Sequence, residues 1–217
     1  MLASKVYLQE FLGKYGANSD INKILDGALL KAKSGAITIH PYGFYILKPI
    51  VDINKQVRIH VWLRDQRKKQ DPDWPPHNHN YDIDSLLLKG ELRHNFWSVR
   101  EENTGDHILY AVEYDSQKSK LNKTDRVCTC DIKFSDSYQA GGRYHLKKFD
   151  YHSVDVGLEC EAVTLCVMTE PENETRHVVG DMQGENSYEF IRKNVSPREA
   201  KSVIDALMRI RDGLQNV

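Results

Sequence analysis

Three hydrophobic periodicities succeed one another along the chain. Within residues 4–15, Val6, Tyr7, Phe11 and Tyr15 recur at helical spacing. Residues 19–32 repeat the pattern, with Ser19 as the N-cap and Ile21, Ile24, Leu25, Ala28 and Leu29 on one face. From Ser34 the vocabulary becomes short, β-branched and aromatic. Ala36–His40, Gly43–Ile50, Val57–Leu63, Asp84–Leu92, His107–Tyr114, Arg126–Phe134, Arg143–Phe149, Glu161–Met168 and Arg176–Gly180 each read as a strand bounded by turn residues. No helix-length pattern interrupts them, which argues against a parallel βαβ sheet and for a mainly β sandwich or barrel. The helical period returns at Ser196, where Ser-Pro-Arg-Glu combines an N-cap serine, a proline at the first helical position and a capping-box glutamate, Glu199. Val203, Leu207, Ile210 and Leu214 form the stripe that follows, with Gly213 near its stop. The division predicted is a helical extension over 1–33, a β-barrel over 34–190 and a helix over 196–214, the last closing the barrel or meeting a second copy of the chain in a homodimer. The charged segments Arg64–Asp73 and Glu113–Arg126 read as solvated loops.

Composition narrows the partners. The chain has 217 residues, 40% of them hydrophobic, with 30 Lys+Arg against 31 Asp+Glu. A net charge of −1 gives no positive field to hold a phosphate backbone, so nucleic acid is not expected. No apolar run approaches the ~20 residues of a membrane span, and the N-terminus lacks the apolar stretch of a signal peptide, so a cytoplasmic location is expected. Cys128, Cys130, Cys160 and Cys166 lack the paired spacing of structural zinc and read as free thiols in strands. The Asn-X-Thr matches at Asn122 and Asn173 then have no meaning.

Candidate chemistry begins in Asp73–Asp82. Side chains two apart on an extended segment point the same way, so His77 and His79 can offer two imidazoles to one ion. Downstream lie the buried strand and glycine turn of Leu86–Leu92, containing Gly90, and then Gly141 with His152 eleven residues later. In this the chain resembles the cupin superfamily. That family's first motif is His-X-His, three or four residues, Glu, six residues, Gly; its second is Gly, five residues, Pro-X-Gly, two residues, His. His77, His79 and Gly90 match the first, and Gly141 and His152 the second. Lys147 and Phe149 stand in place of the motif's Pro and Gly, and Asp71 in place of the glycine before the histidine pair. Ile83 occupies the position of the Glu, leaving Asp84 or Asp82 as the alternatives for a fourth ligand.

The resemblance implies a double-stranded β-helix and a metal held by His77, His79 and His152. Three neutral imidazoles leave an ion its double charge and open positions, which suits Fe(II) binding a small substrate and dioxygen together. Within the superfamily this is similar to the cysteine dioxygenase branch. Cys166 and Met168 fall where that branch carries a catalytic His and Tyr, so a substrate other than cysteine is expected. Arg58, His60 and Tyr81 are the polar residues assigned to substrate and catalysis. Arg58, His60 and Trp62 share one face of their strand, either a pocket wall or an outward polar face. Arg143 and His145 are read as surface residues, and His40, His94, His107 and His177 as ordinary strand or loop histidines. The expected function is a metal-dependent oxygenase of dioxygenase type acting on a small polar metabolite. The alternatives are an isomerase, lyase or hydrolase using Zn, Mn or Ni as Lewis acid, or a non-catalytic small-molecule-binding cupin.

Overall fold

The structure is a computed structural model that describes residues 2–14, 21–51, 55–115, 118–169, 171–192 and 195–215. Tyr15 and Ser19, assigned above to the two N-terminal helices, lie outside the described residues. Helices α1 (Lys5–Gly13) and α2 (Ile21–Lys33) open the chain, and α3 (Pro197–Gln215) closes it. In α1 the inward face is Leu8, Phe11 and Leu12, whereas Val6 and Tyr7 are exposed. The helical period was legible there, but its phase was off by one residue.

Between the helices run β1 (Thr38–Ile39), β2 (Tyr45–Val51), β3 (Lys55–Trp62), β4 (Asp82–Lys89), β5 (Glu91–Glu101), β6 (His107–Tyr114), β7 (Lys118–Gln139), β8 (Arg143–Leu146), β9 (Tyr151–Asp155), β10 (Ala162–Thr169), β11 (Arg176–Asp181) and β12 (Ser187–Ile191). One antiparallel sheet has the order β1-β2-β3-β10-β4-β8; the other has β11-β6-β7-β5-β9, with β12 also on β7. The charged segment Glu113–Arg126 is therefore not a loop. It carries the end of β6 and the first part of β7, paired Glu113↔Lys120 and Val112↔Leu121. Arg64–Asp73 does run outside the named strands.

The pairing has a simple order. Segment 76–79 is bridged to β9 through His77 and His152. Take β3, this segment, β4, β5, β7, β8, β9 and β10 as consecutive. The first then pairs with the last, the second with the seventh, the third with the sixth and the fourth with the fifth. Two further pairings, β10 with β4 and β9 with β5, stitch the turns of this long hairpin together. The turn between β4 and β5 needs Gly90: its φ is +85°, and a Cβ there would lie 2.2 Å from the Glu161 carbonyl oxygen.

The core lies on the helix-covered side of the first sheet. Val57, Ile59 and Val61 of β3, Leu86 and Leu88 of β4, and Val163, Leu165 and Val167 of β10 pack against the buried residues of all three helices. Strand alternation then turns Arg58, His60 and Trp62, with Cys166 and Met168, to the opposite face, where they line a cavity. The helices thus supply the hydrophobic cover, which leaves the other face of the sheet free to be polar.

Candidate metal centre

Residues 76–79 are threaded between β9 and β11 by main-chain hydrogen bonds. His77 N donates to His152 O (3.1 Å) and His152 N to His77 O (2.9 Å), while Asn78 N donates to His177 O (3.0 Å) and Val179 N to Pro76 O (2.9 Å). The Asn78 side-chain oxygen accepts from His177 N at 2.7 Å. These bonds fix an extended backbone, so His77 and His79 project together toward His152 of the neighbouring strand.

Ligand nitrogens of His77, His79 and His152 all lie within 4.8 Å of one another. His79 Nε2 and His152 Nε2 are 3.0 Å apart. Two imidazole nitrogens bound at about 2.1 Å and at right angles to each other would be separated by about 3.0 Å, and across one ion by about 4.2 Å. Loading therefore asks only for a small inward shift of the third ring. Two of the three remaining ring nitrogens are spoken for: His77 Nδ1 sits 2.9 Å from Pro75 O, and His152 Nδ1 2.8 Å from His94 Nε2. Since a carbonyl only accepts, His77 carries its proton on Nδ1 and keeps Nε2 free. Burial brings the pKa of His77 down to about 4, and it holds His79 and His152 well below the ordinary histidine value. All three rings are neutral at pH 7, the form that ligates metal.

Neither proposed carboxylate joins them. Asp84 bonds His145 Nδ1 (2.8 Å) and Lys14 Nζ (2.9 Å), and Asp82 accepts from Lys148 N (2.8 Å). Ile83, at the motif's Glu position, lines the cavity instead. Among the described residues the donor set is three nitrogens.

Arg58, His60 and Tyr81 do share the cavity of about 70 Å³ into which the three histidines project. At roughly 10–15 Å³ per water it holds a few waters or a small ligand. The Tyr81 ring stacks on His79 at 5.1 Å, and its hydroxyl accepts from Arg58 Nη1 at 3.4 Å. His60 Nδ1 is 3.5 Å from Cys166 Sγ, while its buried Nε2 has no partner. Burial, then the neighbouring Arg58 charge, lowers the His60 pKa to about 3. The wall carrying Cys166 and Met168 is thus less apolar than their identities imply, because His60 of the adjacent strand stands beside the thiol. Arg143 and His145 are exposed on the far side of β8, as expected.

Two histidines read as ordinary belong to this site. His40 lines the cavity and accepts from Tyr42 N at its Nδ1 (3.2 Å), so its neutral ring carries the proton on Nε2. His94, fully buried, supports His152 from behind. Neither has a sequence partner at ligand spacing, and only the pairing of β5 with β9 brings His94 to His152.

No family model matches the chain, and no curated protein matches it. Among solved structures, L-ribose isomerase from Cellulomonas parahominis is 11% identical over 85% of this chain and 95% of its own, with a TM-score of 0.37. Hydroquinone 1,2-dioxygenase in complex with Cd2+ and 4-hydroxybenzonitrile is 13% identical, covering 66% and 76%, with a TM-score of 0.36. Peruvianin-I, a cysteine peptidase from Thevetia peruviana latex, is 12% identical, covering 66% and 71%, with a TM-score of 0.36. No activity is taken from likeness at this level. Among the described residues no helix is long and apolar enough to cross a membrane.

Proposed function

We propose that the chain is a metal-dependent cupin enzyme whose His77, His79 and His152 hold Fe(II), and that it is an oxygenase acting on a small polar molecule. The observation that carries this reading is the convergence of three neutral imidazoles, His152 buried and His77 and His79 half-buried, two of them with their outer nitrogens already committed to protein partners. Backbone geometry supports the family. Of the four positions where the cupin motifs place glycine, Gly90, Gly141 and Phe149 have positive φ (+85°, +94° and +67°), whereas Asp71 does not. Phe149 keeps the left-handed backbone without the glycine, at a cost of roughly 1–2 kcal/mol, and its N–H donates to His79 O at 2.7 Å. The hairpin-on-itself strand pairing supports the double-stranded β-helix.

Nitrogen-only ligation favours a borderline metal such as iron, zinc or nickel over magnesium or calcium. Iron(II) would supply a centre at which a chelating substrate and dioxygen meet. The chain's own residues do the rest. His60 Nε2 and the His40 Nε2 proton offer hydrogen bonds to a bound molecule, and Arg58 braces Tyr81 at the edge of the site. Aromatic walls, Phe44 on His60 at 4.9 Å and Tyr42 on His77 at 4.7 Å, exclude water.

Anaerobic purification with metal analysis, followed by oxygen-uptake assays, tests the reading. Stoichiometric iron with substrate-dependent oxygen consumption is expected, and little consumption with cysteine. Zinc, nickel or manganese with turnover but no oxygen uptake would move the protein to the Lewis-acid class; ligand binding without turnover would make it a binding protein. The His94 contact makes its own prediction. His94→Phe keeps the ring but removes the acceptor of the His152 proton, and metal affinity should fall roughly 10–100-fold with unchanged far-ultraviolet circular dichroism. Unaltered affinity would remove His94 from the site.

A further inference from the structure

A second recess, of about 220 Å³, adjoins the metal cavity and shares His79, Tyr81, Arg58, His40 and Ile46 with it. Beside Thr38 and Tyr114, its remaining polar lining is cationic: Lys48 from β2, Arg176 at the start of β11 and Arg192 just after β12. Among the described residues no aspartate or glutamate lines it, and no carboxylate forms an ion pair with Lys48, Arg58, Arg176 or Arg192. Over the whole chain cations and carboxylates are closely matched, 30 against 31, so this local concentration of positive charge stands out.

Arg176 and Arg192 both pack on Tyr114, with guanidinium carbons 4.4 and 5.4 Å from the ring centroid. Among the described residues both Nε–H groups are buried without an acceptor. Two like charges gathered on one ring repel each other, and a buried donor without a partner costs about 1–3 kcal/mol. An anion seated between them offsets both costs. Lys48 reports the same field: burial, then the charges of Arg58 and Arg192, lower its pKa.

From this we infer that the substrate of the metal site carries a phosphate group, held by Lys48, Arg176 and Arg192 in the recess while its other end reaches the histidines. The inference rests on the proposed metal site for its second half. A single carboxylate would neutralise only one of the converging cations, and it is smaller than the space. A phosphate dianion presents three oxygens to guanidinium donors, the geometry for which arginine is suited. Tyr81 and Arg58 stand between the two cavities, so the molecule would lie along them.

Calorimetric titration of the metal-bearing protein with inorganic phosphate at low ionic strength tests this, with acetate as the monoanion control. Phosphate should bind, and acetate markedly more weakly. In R176Q/R192Q the phosphate affinity should drop roughly tenfold or more per guanidinium removed, with metal content unchanged. The ring of Tyr114 is packed by Arg176 and Arg192, so K48Q gives a second variant that spares that packing, and a several-fold weakening is expected there. Phosphate binding that is absent, or insensitive to both variants because the anion sits on the metal, would overturn the inference. Phosphate binding that depends on Arg176 and Arg192 in a protein that takes up no metal would leave the anion recess standing and sink the metal site instead.

Discussion

His79→Ala and His152→Ala should each reduce bound metal from stoichiometric to trace. With three nitrogen donors, loss of one leaves a two-ligand site, and no carboxylate among the described residues is placed to replace it. Asp84 and Asp82 are engaged with His145, Lys14 and the Lys148 N–H. The two variants should differ in stability. His152 is 5% exposed and is the partner of His94 Nε2. Its truncation opens a void and leaves both His94 nitrogens unpaired, since Nδ1 already has no partner. A loss of about 1–3 kcal/mol is expected from the orphaned donor or acceptor alone. The position of His152 looks, in the sequence, like a ligand at the barrel mouth whose removal costs no core volume; its burial corrects that. His79 is only half-buried, so His79→Ala should lose metal at a smaller cost in stability. Metal analysis beside chemical denaturation separates the two effects. Full metal occupancy in either well-folded variant would exclude the three-histidine assignment.

The three converging histidines were legible because they lie in one short motif and one fixed spacing, whereas the residues behind them were not. His94 is two residues from Phe96, whose partner across the β5–β9 ladder is His152. Such a neighbour depends on strand register, and β9 itself is too short and mixed to announce a strand. Strand β7 was hidden differently. Its first half, Lys118–Arg126, carries many charges although it is mostly half-buried and paired on both sides, with β6 and with β12, so tertiary pairing rather than hydrophobic period makes it a strand. For β3 the alternation was plain but its direction was not. Either face could be the inner one until the helices were seen to cover Val57, Ile59 and Val61. The phosphate recess lies furthest from what a sequence displays. Its cations are at 48, 58, 176 and 192, and nothing in their spacing brings them together.

Glu199→Gln should destabilise the protein by roughly 2–3 kcal/mol at neutral pH, with a deficit that shrinks in acid. Glu199 does more than complete the capping box of α3. Its Oε2 accepts from Ser196 N (2.8 Å) and Ser196 Oγ (2.6 Å), while Oε1 accepts from Tyr45 Oη (3.1 Å) and Lys68 Nζ (3.2 Å). One carboxylate thus ties the start of α3 to strand β2 and to the loop that leads toward the histidines. Behind it, Val203, Ala206, Leu207, Ile210 and Leu214 are buried against the first sheet and α2. Burial of the group opposes ionisation, but the hydrogen bonds from Ser196, Lys68 and Tyr45 outweigh it and lower the pKa from 4.5 to about 2. Because the folded pKa is depressed, its contribution is fully present above about 4.5 and is lost as pH falls toward about 2. Glutamine can still accept at Oε1, but its amide turns a second donor toward the Ser196 N–H. Urea unfolding of wild type and variant at several pH values should therefore give curves that converge across that window. A difference that stays constant with pH would mean that the ionised carboxylate is not what anchors the helix.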